Sequence, residues 1–561
     1  MSSDGLFHRY LRAVYDYKAL RSRAIGHQMS GAVGDVAGLD TEVRNELPSA
    51  TSALSSGAYR VLPFTCLDET FPSAVRTQGK LTLFRPDFGE ALTRAFLTRI
   101  FSEQAAPLVP SFGVRLDDVI DHSLHAAALR RRRDRILTAF ALITGWAFLP
   151  GALVWIVGLV LRGALSRAGA TIAGRLLPFT LVAAAACLLV AAPTRRTGPV
   201  CWYAAAALVV PAVGWLLSRH VALRTADALR SSALAALGDH PGALNPGDAG
   251  HEQVGSRRIA ELQAQQRGNM LFASDDSREQ VFGIGRKWGQ WTMVTPLVPA
   301  PGRSGMAFHN FDFAEALERS FGTPQDRGGD APEAVVRHVA VFPGTPQGRP
   351  LTRPTGPEYD GYGISASALR SICGVGHVPG DPRHAVCVQQ FLHDGQILST
   401  FLVSSVLEGA TLHVIVRAYA LGPLSAVLNR SPRRVWGQVL RAARHWQTES
   451  PIDDAELVRL LARAPFSLLS ARLLDWLGGR LVLPEPFGLR SAAAQHPFTQ
   501  GSFADDILRG ASPVLRQVHA AVVGFLGEHE MDVAGLTPPD VSFTATDGGT
   551  PAMSDLAEWR S

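Results

Sequence analysis

Phe282-Gly-Ile-Gly-Arg-Lys-Trp-Gly289 is the stretch whose residue types come nearest to a phosphate-holding loop. Its spacing fails the Gly-x4-Gly-Lys-Ser/Thr pattern that would set amides and a lysine around phosphates. The run 291–297 that follows reads as a strand, so no helix N-terminus would meet an anion. A glycine-rich turn flanked by two tryptophans is the simpler reading. Gly283, Gly285, Trp288 and Trp291 stand as a candidate ligand-contact loop.

His384, Cys387 and His393 carry metal-ligating side chains. They fall in a strand-like run, where residues three apart point to opposite faces. Cys387 and His393 would share a face but stand about 20 Å apart at 3.3 Å per residue. A local zinc site is therefore not expected. Asp117-Asp118 and Asp453-Asp454 sit near helix starts, where carboxylates complement the helix dipole. No Gly-x-Ser-x-Gly elbow, His-Glu-x-x-His motif or kinase set occurs. These observations assign no catalytic residue, no cofactor and no metal ligand.

The elements around these residues are dominated by three apolar stretches, 136–161, 176–192 and 200–217. A helix needs about 20 apolar residues to cross a hydrocarbon core. No Asp or Glu occurs between Asp134 and Asp227, which argues for an anchor over a proton path. The expected fold class is thus α+β soluble regions flanking an α-helical membrane block of two to three spans. Arg130, Arg131, Arg132, Arg133, Arg135, Arg162 and Arg175 are expected at the headgroups, with Trp202, Tyr203 and Trp215 as an aromatic belt. With three crossings the flanking arginines split seven against six; with 136–161 re-entrant at Pro150-Gly151 they split eleven against two. The second arrangement places both soluble regions in the cytoplasm.

The formal charge is +5 and the pI near 9.1, part of it from those arginines. That suits anionic lipid headgroups. No basic stripe with interleaved aromatics appears, so nucleic acid is not an expected partner. A protein partner or a homo-oligomer remains open. Lysine occurs only at positions 18, 80 and 287, a bias of high-GC coding. Five scattered cysteines imply no disulfide framework. Residues 1–25 lack the apolar run of a secretory signal.

The chain divides into an N-terminal α/β region (1–130), the membrane block (131–220), a helical stalk and linker (221–269), an α+β domain (270–535) and a loose tail (536–561). The clearest element is a β-meander over 384–420, with turns at Asp394-Gly395 and Glu408-Gly409. On its third strand Leu412, Val414, Val416 and Ala418 share one face, and Thr411, His413, Arg417 and Tyr419 share a more polar one. Its first two strands are apolar on both sides and need covering. Helices are expected at 89–101, 116–129, 433–446, 453–464 and 505–529.

In its order of features the chain resembles multi-pass membrane proteins of streptomycete-type bacteria. The matching pieces are Pro110-Ser-Phe-Gly-Val114, the arginine cluster, the apolar block, Phe282-Gly-Ile-Gly285 with Trp291, the meander, and Phe525-Leu526 with Asp532. The resemblance implies a bacterial plasma membrane and no particular activity. The expected function is a membrane-anchored protein that binds a partner or small ligand. The alternatives are a tethered enzyme with a dispersed site in 270–535 and a channel or transporter subunit.

Overall fold

Alternating apolar residues over 383–421 build the centre of the molecule. The computed structural model describes residues 49–536 apart from 102–106, 168–197, 239–252, 276–279, 323–333, 353, 355–358, 361–362, 375–379, 433–434, 437–446, 449–451, 453, 496–500 and 535. Seven strands close into a barrel: β1 (Met270–Ser274), β2 (Gln280–Val281), β3 (Gly285–Pro296), β4 (Ala334–Thr345), β5 (Arg383–Leu392), β6 (Ile397–Glu408) and β7 (Thr411–Leu421). Their order around the barrel is β7-β3-β2-β1-β4-β5-β6. Every pairing is antiparallel except β1 with β4. The expected meander is β5–β6–β7. Glu408 pairs with Thr411, leaving a two-residue turn in which Gly409 takes φ 57°.

The two faces of these strands have different fates. Outward, Val386, Val388, Phe401, Val403, Val414 and Val416 meet Phe313 and Leu317 of one helix and Val514, Val518 and Val522 of another. These helices are residues Asn310–Gly322 and Gly501–Glu528. Their apolar stripes recur at helical spacing, which is why they lie flat on the sheet. Inward, Leu271, Val281, Val339, Cys387, Leu398, Leu402 and Leu421 meet one another and Phe112. The barrel wall thus meets the covering that its two-sided strands require.

A helical half packs beside the barrel: α1 (Ala50–Gly57), α2 (Phe88–Phe101), α3 (Leu116–Arg167), α4 (Gly198–Leu237), α5 (Gln253–Arg267) and, later in the chain, α6 (Asp454–Leu469). Leu54, Phe88, Phe96 and Ile100 share one core with Leu428 and Phe487, so residues far apart in sequence complete it. Of the expected helix at 433–446, most lies outside the described residues. Val435–Trp436 pairs instead as a short strand with Gln447–Thr448.

The expected membrane block is overturned. Among the described residues no helix is long and apolar enough to cross a membrane. The fold is mixed α/β around a large, mainly antiparallel sheet. Stretch 136–161 lies within α3, 200–217 within α4, and 176–192 outside the described residues. Nor does the chain fold back at Pro150-Gly151, because α3 runs unbroken through both. Protein covers only the margins of these stretches, and Leu142, Ile143, Trp146, Val209, Val213, Leu216 and Leu217 within them are exposed. Leu137 of α3 and Ala222 and Ala226 of α4 bury against Leu457, Leu460 and Ala464 of α6.

Candidate functional site

The inward rows of the barrel carry cations with no ion-paired carboxylate among the described residues. One row runs Arg337–Cys387–Leu402–Arg417–Gln290 across β4, β5, β6, β7 and β3. The next row toward the base runs Val335–Gln389–Thr400–Tyr419–Lys287. Strand alternation sends Arg383 inward beside Ala385 and Cys387. These two rows hold no carboxylate; Glu408 lies in the inward register of β6 at the rim, paired with Thr411 and 3.9 Å from His413. Val294 on β3, opposite His413, is 55% exposed, so that end meets solvent. At the other end Phe112, Phe391, Leu398 and Ala494 fill the base.

The Arg337 guanidinium is held rather than loose. Arg337 donates to Gln389 Oε1, and Gln389 Nε2 in turn reaches Thr400 Oγ1 at 3.5 Å. The Arg337 guanidinium also lies 4.3 Å from the centre of the Phe112 ring, a cation–π contact. Burial disfavours the charge of both Arg337 and Arg417. The nearby Arg383 pushes Arg417 the same way. Like charges brought together in a half-buried space cost energy unless an anion joins them. Arg383 Nε is buried without a hydrogen-bond partner among the described residues.

A fourth guanidinium lies at the base. Arg490 is 0% exposed, and burial pulls it down to about 9. Its Nη1 donates to Phe112 O at 2.7 Å. Its Nε and Nη2 have no partner among the described residues.

The same lumen is poorly equipped for covalent chemistry. Cys387 is fully buried and pushed up to about 12, burial outweighing the pull of Arg337, so its thiol stays protonated at neutral pH. On the outer face His338 Nδ1 lies 2.9 Å from His384 Nε2, and His338 Nε2 lies 3.1 Å from Glu318 Oε2. Burial and the neighbouring His338 hold His384 down at about 3. His384 and Cys387 do face opposite sides of β5, as alternation requires. His393 instead pairs with Asp506 at 2.8 Å.

Of the candidate loop, Gly283 lies in the turn and Gly285 opens β3, with φ 90° and 97°. A Cβ on Gly285 would stand 2.0 Å from Ala420 O, so the close approach of β3 to β7 requires glycine. Trp288 and Trp291 pack on the outer face of the barrel, Trp288 edge-on to Phe401. The structure therefore does not bring this loop's tryptophans to the lumen arginines.

The arginine cluster divides in two. Arg132 and Arg135 are exposed, and Arg131 is half-buried with its Nε on Ala127 O. Arg130 and Arg133 turn inward, Arg130 to Asp87 at 3.2 Å and Arg133 to Asp134 at 2.8 Å. Trp215 packs against the α3–α4–α6 core with Arg219 over its ring. Arg175 and the side chains of Arg162, Trp202 and Tyr203 lie outside the described residues. Arg337, Arg383 and Arg490 were missed by sequence reasoning. For Arg337 and Arg383 the available signal was an arginine in the inward register of an otherwise apolar strand; Arg417 was placed on the more polar face of its strand without being read as a site residue, and Arg490, on a short helix, gave no such signal.

Residues 290–540 match a family model described as an AbeC-like domain. The match begins inside β3 and takes in β4 to β7, hence Arg337, Arg383, Arg417 and Arg490. That description names no activity. No curated protein and no solved structure matches the chain.

Proposed function

We propose that the barrel binds an anionic small molecule, with Arg337, Arg383 and Arg417 holding its negative group. The observation that carries this is the inward register of Arg337, Arg383 and Arg417 on β4, β5 and β7, with no carboxylate paired to any of them among the described residues. An uncompensated charge in a low-dielectric space is costly, and a bound anion would offset that cost. Arginine suits the task because its planar fork meets carboxylate and phosphate oxygens two at a time. The apolar floor of Leu398, Leu402 and Phe112 would take the rest of the molecule, as in other sites with few polar groups among many apolar ones. The protonated Cys387 favours binding over catalysis.

Calorimetric titration with octanoate, octyl phosphate and octanol at constant ionic strength tests this. The two anions should bind and octanol should not. Arg417→Gln should weaken both anions about tenfold or more, in line with loss of a charge-assisted pair. Anion affinities unchanged in both Arg417→Gln and Arg337→Gln would overturn the reading.

A further inference from the structure

A histidine stands at the open end of the barrel, above the wall arginines. His413 shares its face of β7 with Arg417 and Tyr419, so strand alternation turns it into the lumen. It pairs with Val406 on β6 and with Val294 on β3. Its side chain is half-buried, and Glu408 at the end of β6 is exposed. His413 Nε2 and Glu408 Oε2 stand 3.9 Å apart. That is too long for a hydrogen bond, yet close enough for each charge to act on the other.

Few other charges surround this imidazole among the described residues. On β7 its neighbours on the same face are Thr411 and Ile415, and Arg417 lies four residues deeper, about 13 Å at 3.3 Å per residue. The inward residues beside it on β3 are Thr292, Val294 and Pro296, and on β6 Ser404, Val406 and Glu408. Arg383 opens β5 at the same end of the barrel. The other barrel histidines face elsewhere: His338 and His384 meet on the outer surface, and His393 pairs with Asp506. While the imidazole is neutral, the Glu408 carboxylate leaves the pair negative and opposes an anion arriving from solvent. A protonated imidazole cancels that charge.

We propose that His413 and Glu408 form an electrostatic gate at the mouth of the lumen. Anions bind more tightly once His413 takes up a proton, and more weakly when Glu408 stands alone. This rests on the anion-binding reading of the lumen and adds its regulation: a site that loads in mild acid and releases toward alkaline pH. His413 acts on the ligand's charge from the rim, while the wall arginines hold the ligand.

Calorimetric titration of the full chain with octanoate at about pH 8 and about pH 6 tests the gate, since an imidazole gains its charge between those values. Octanoate itself stays ionised across them, as a carboxylate does above about pH 5. At low, constant ionic strength, native affinity should rise about threefold to tenfold at the lower pH. The rise should shrink with added salt. His413→Gln should bind octanoate but lose most of the rise. Glu408→Gln should bind octanoate about threefold tighter than the native chain at about pH 8. Because Glu408 is exposed, that variant carries the test should His413→Gln fail to fold. Octanoate affinity equal at both pH values, or a rise that His413→Gln leaves intact, would overturn the gate while leaving anion binding in place. Failure of octanoate to bind at either pH would overturn both.

Discussion

Two sets of buried arginines in this molecule are treated in opposite ways. Beside α2, Arg463 donates to Glu90, Arg94 joins Asp475 at 2.6 Å, Arg130 joins Asp87, and Arg133 joins Asp134. Asp134 also accepts from Ser467 at 2.7 Å, tying α3 to α6. In the barrel, Arg337, Arg383, Arg417 and Arg490 have no acid among the described residues. Each arginine of the first set has an acid partner, although Arg130 Nε and Arg463 Nε are buried without a hydrogen-bond partner among the described residues, and so the set reads as structure. The second is incomplete and so reads as a site. Burial of an arginine alone says neither; the presence of its counter-charge decides.

The comparison breaks most easily at Glu90. Burial alone would raise its carboxyl, but Arg463, Arg94, Arg133 and Arg130 outweigh that and hold it at about 2. Removing the carboxylate strands Arg463 in the interior. Glu90→Gln should cost about 3–5 kcal/mol in urea unfolding, the usual loss when one partner of a buried pair is deleted. Adding Arg463→Met should recover much of it. If Glu90→Gln is neutral, the network is not structural and the contrast fails.

Acid should sharpen the contrast. Glu90 has a folded value below its unfolded one, so its contribution is full above about 4.5 and is lost as pH falls toward about 2. His384 behaves alike in sign. Burial and His338 depress it from 6.5 to about 3, so the unfolded chain binds the proton more readily between those values. Stability should fall there by up to about 1.4 kcal/mol per pH unit. In His384→Asn the slope between pH 6.5 and 4.5 should flatten, and the steeper loss below it should remain.

How much of this was legible differs between the two halves. Helix Phe88–Phe101 and the meander were readable because their apolar periodicities are local. The opposite facing of His384 and Cys387 follows from alternation alone. Barrel closure was not readable, since β1 pairs with β4 and β3 with β7 across wide sequence separations. The stretch 136–217 was misread because apolar composition does not say where a helix will lie: Leu137 and Trp215 pack with α6, while Leu142, Ile143 and Trp146 stay exposed. The arginine cluster was misread for the same reason. Glu90 lies 373 residues from Arg463, and no local pattern reveals that they meet. Nor does any local pattern reveal that Arg417 meets no carboxylate among the described residues.

Arg417 then gives the converse of Glu90. Arg417→Met removes a charge that burial and Arg383 both disfavour. Stability should hold or rise by up to about 1 kcal/mol, since replacing a poorly compensated charge with apolar volume is commonly neutral or favourable. The same variant should lose anion binding in titration. A loss of stability comparable to that in Glu90→Gln would show that Arg417 is a structural residue after all.

The smallest effect should come from the edge of the paired set. Arg94 and Asp475 are 26% and 28% exposed, and Asp475 is raised by burial against the pull of Arg94. Water screens such a pair, so a double-mutant cycle of Arg94→Ala and Asp475→Ala should give a coupling of about 0.2–1 kcal/mol. That coupling should shrink with added salt. The Glu90–Arg463 coupling, at 10% and 5% exposure, should be several times larger and nearly independent of salt. Equal couplings would mean that burial does not grade the paired set. The contrast with the lumen would then rest on geometry without energetic support.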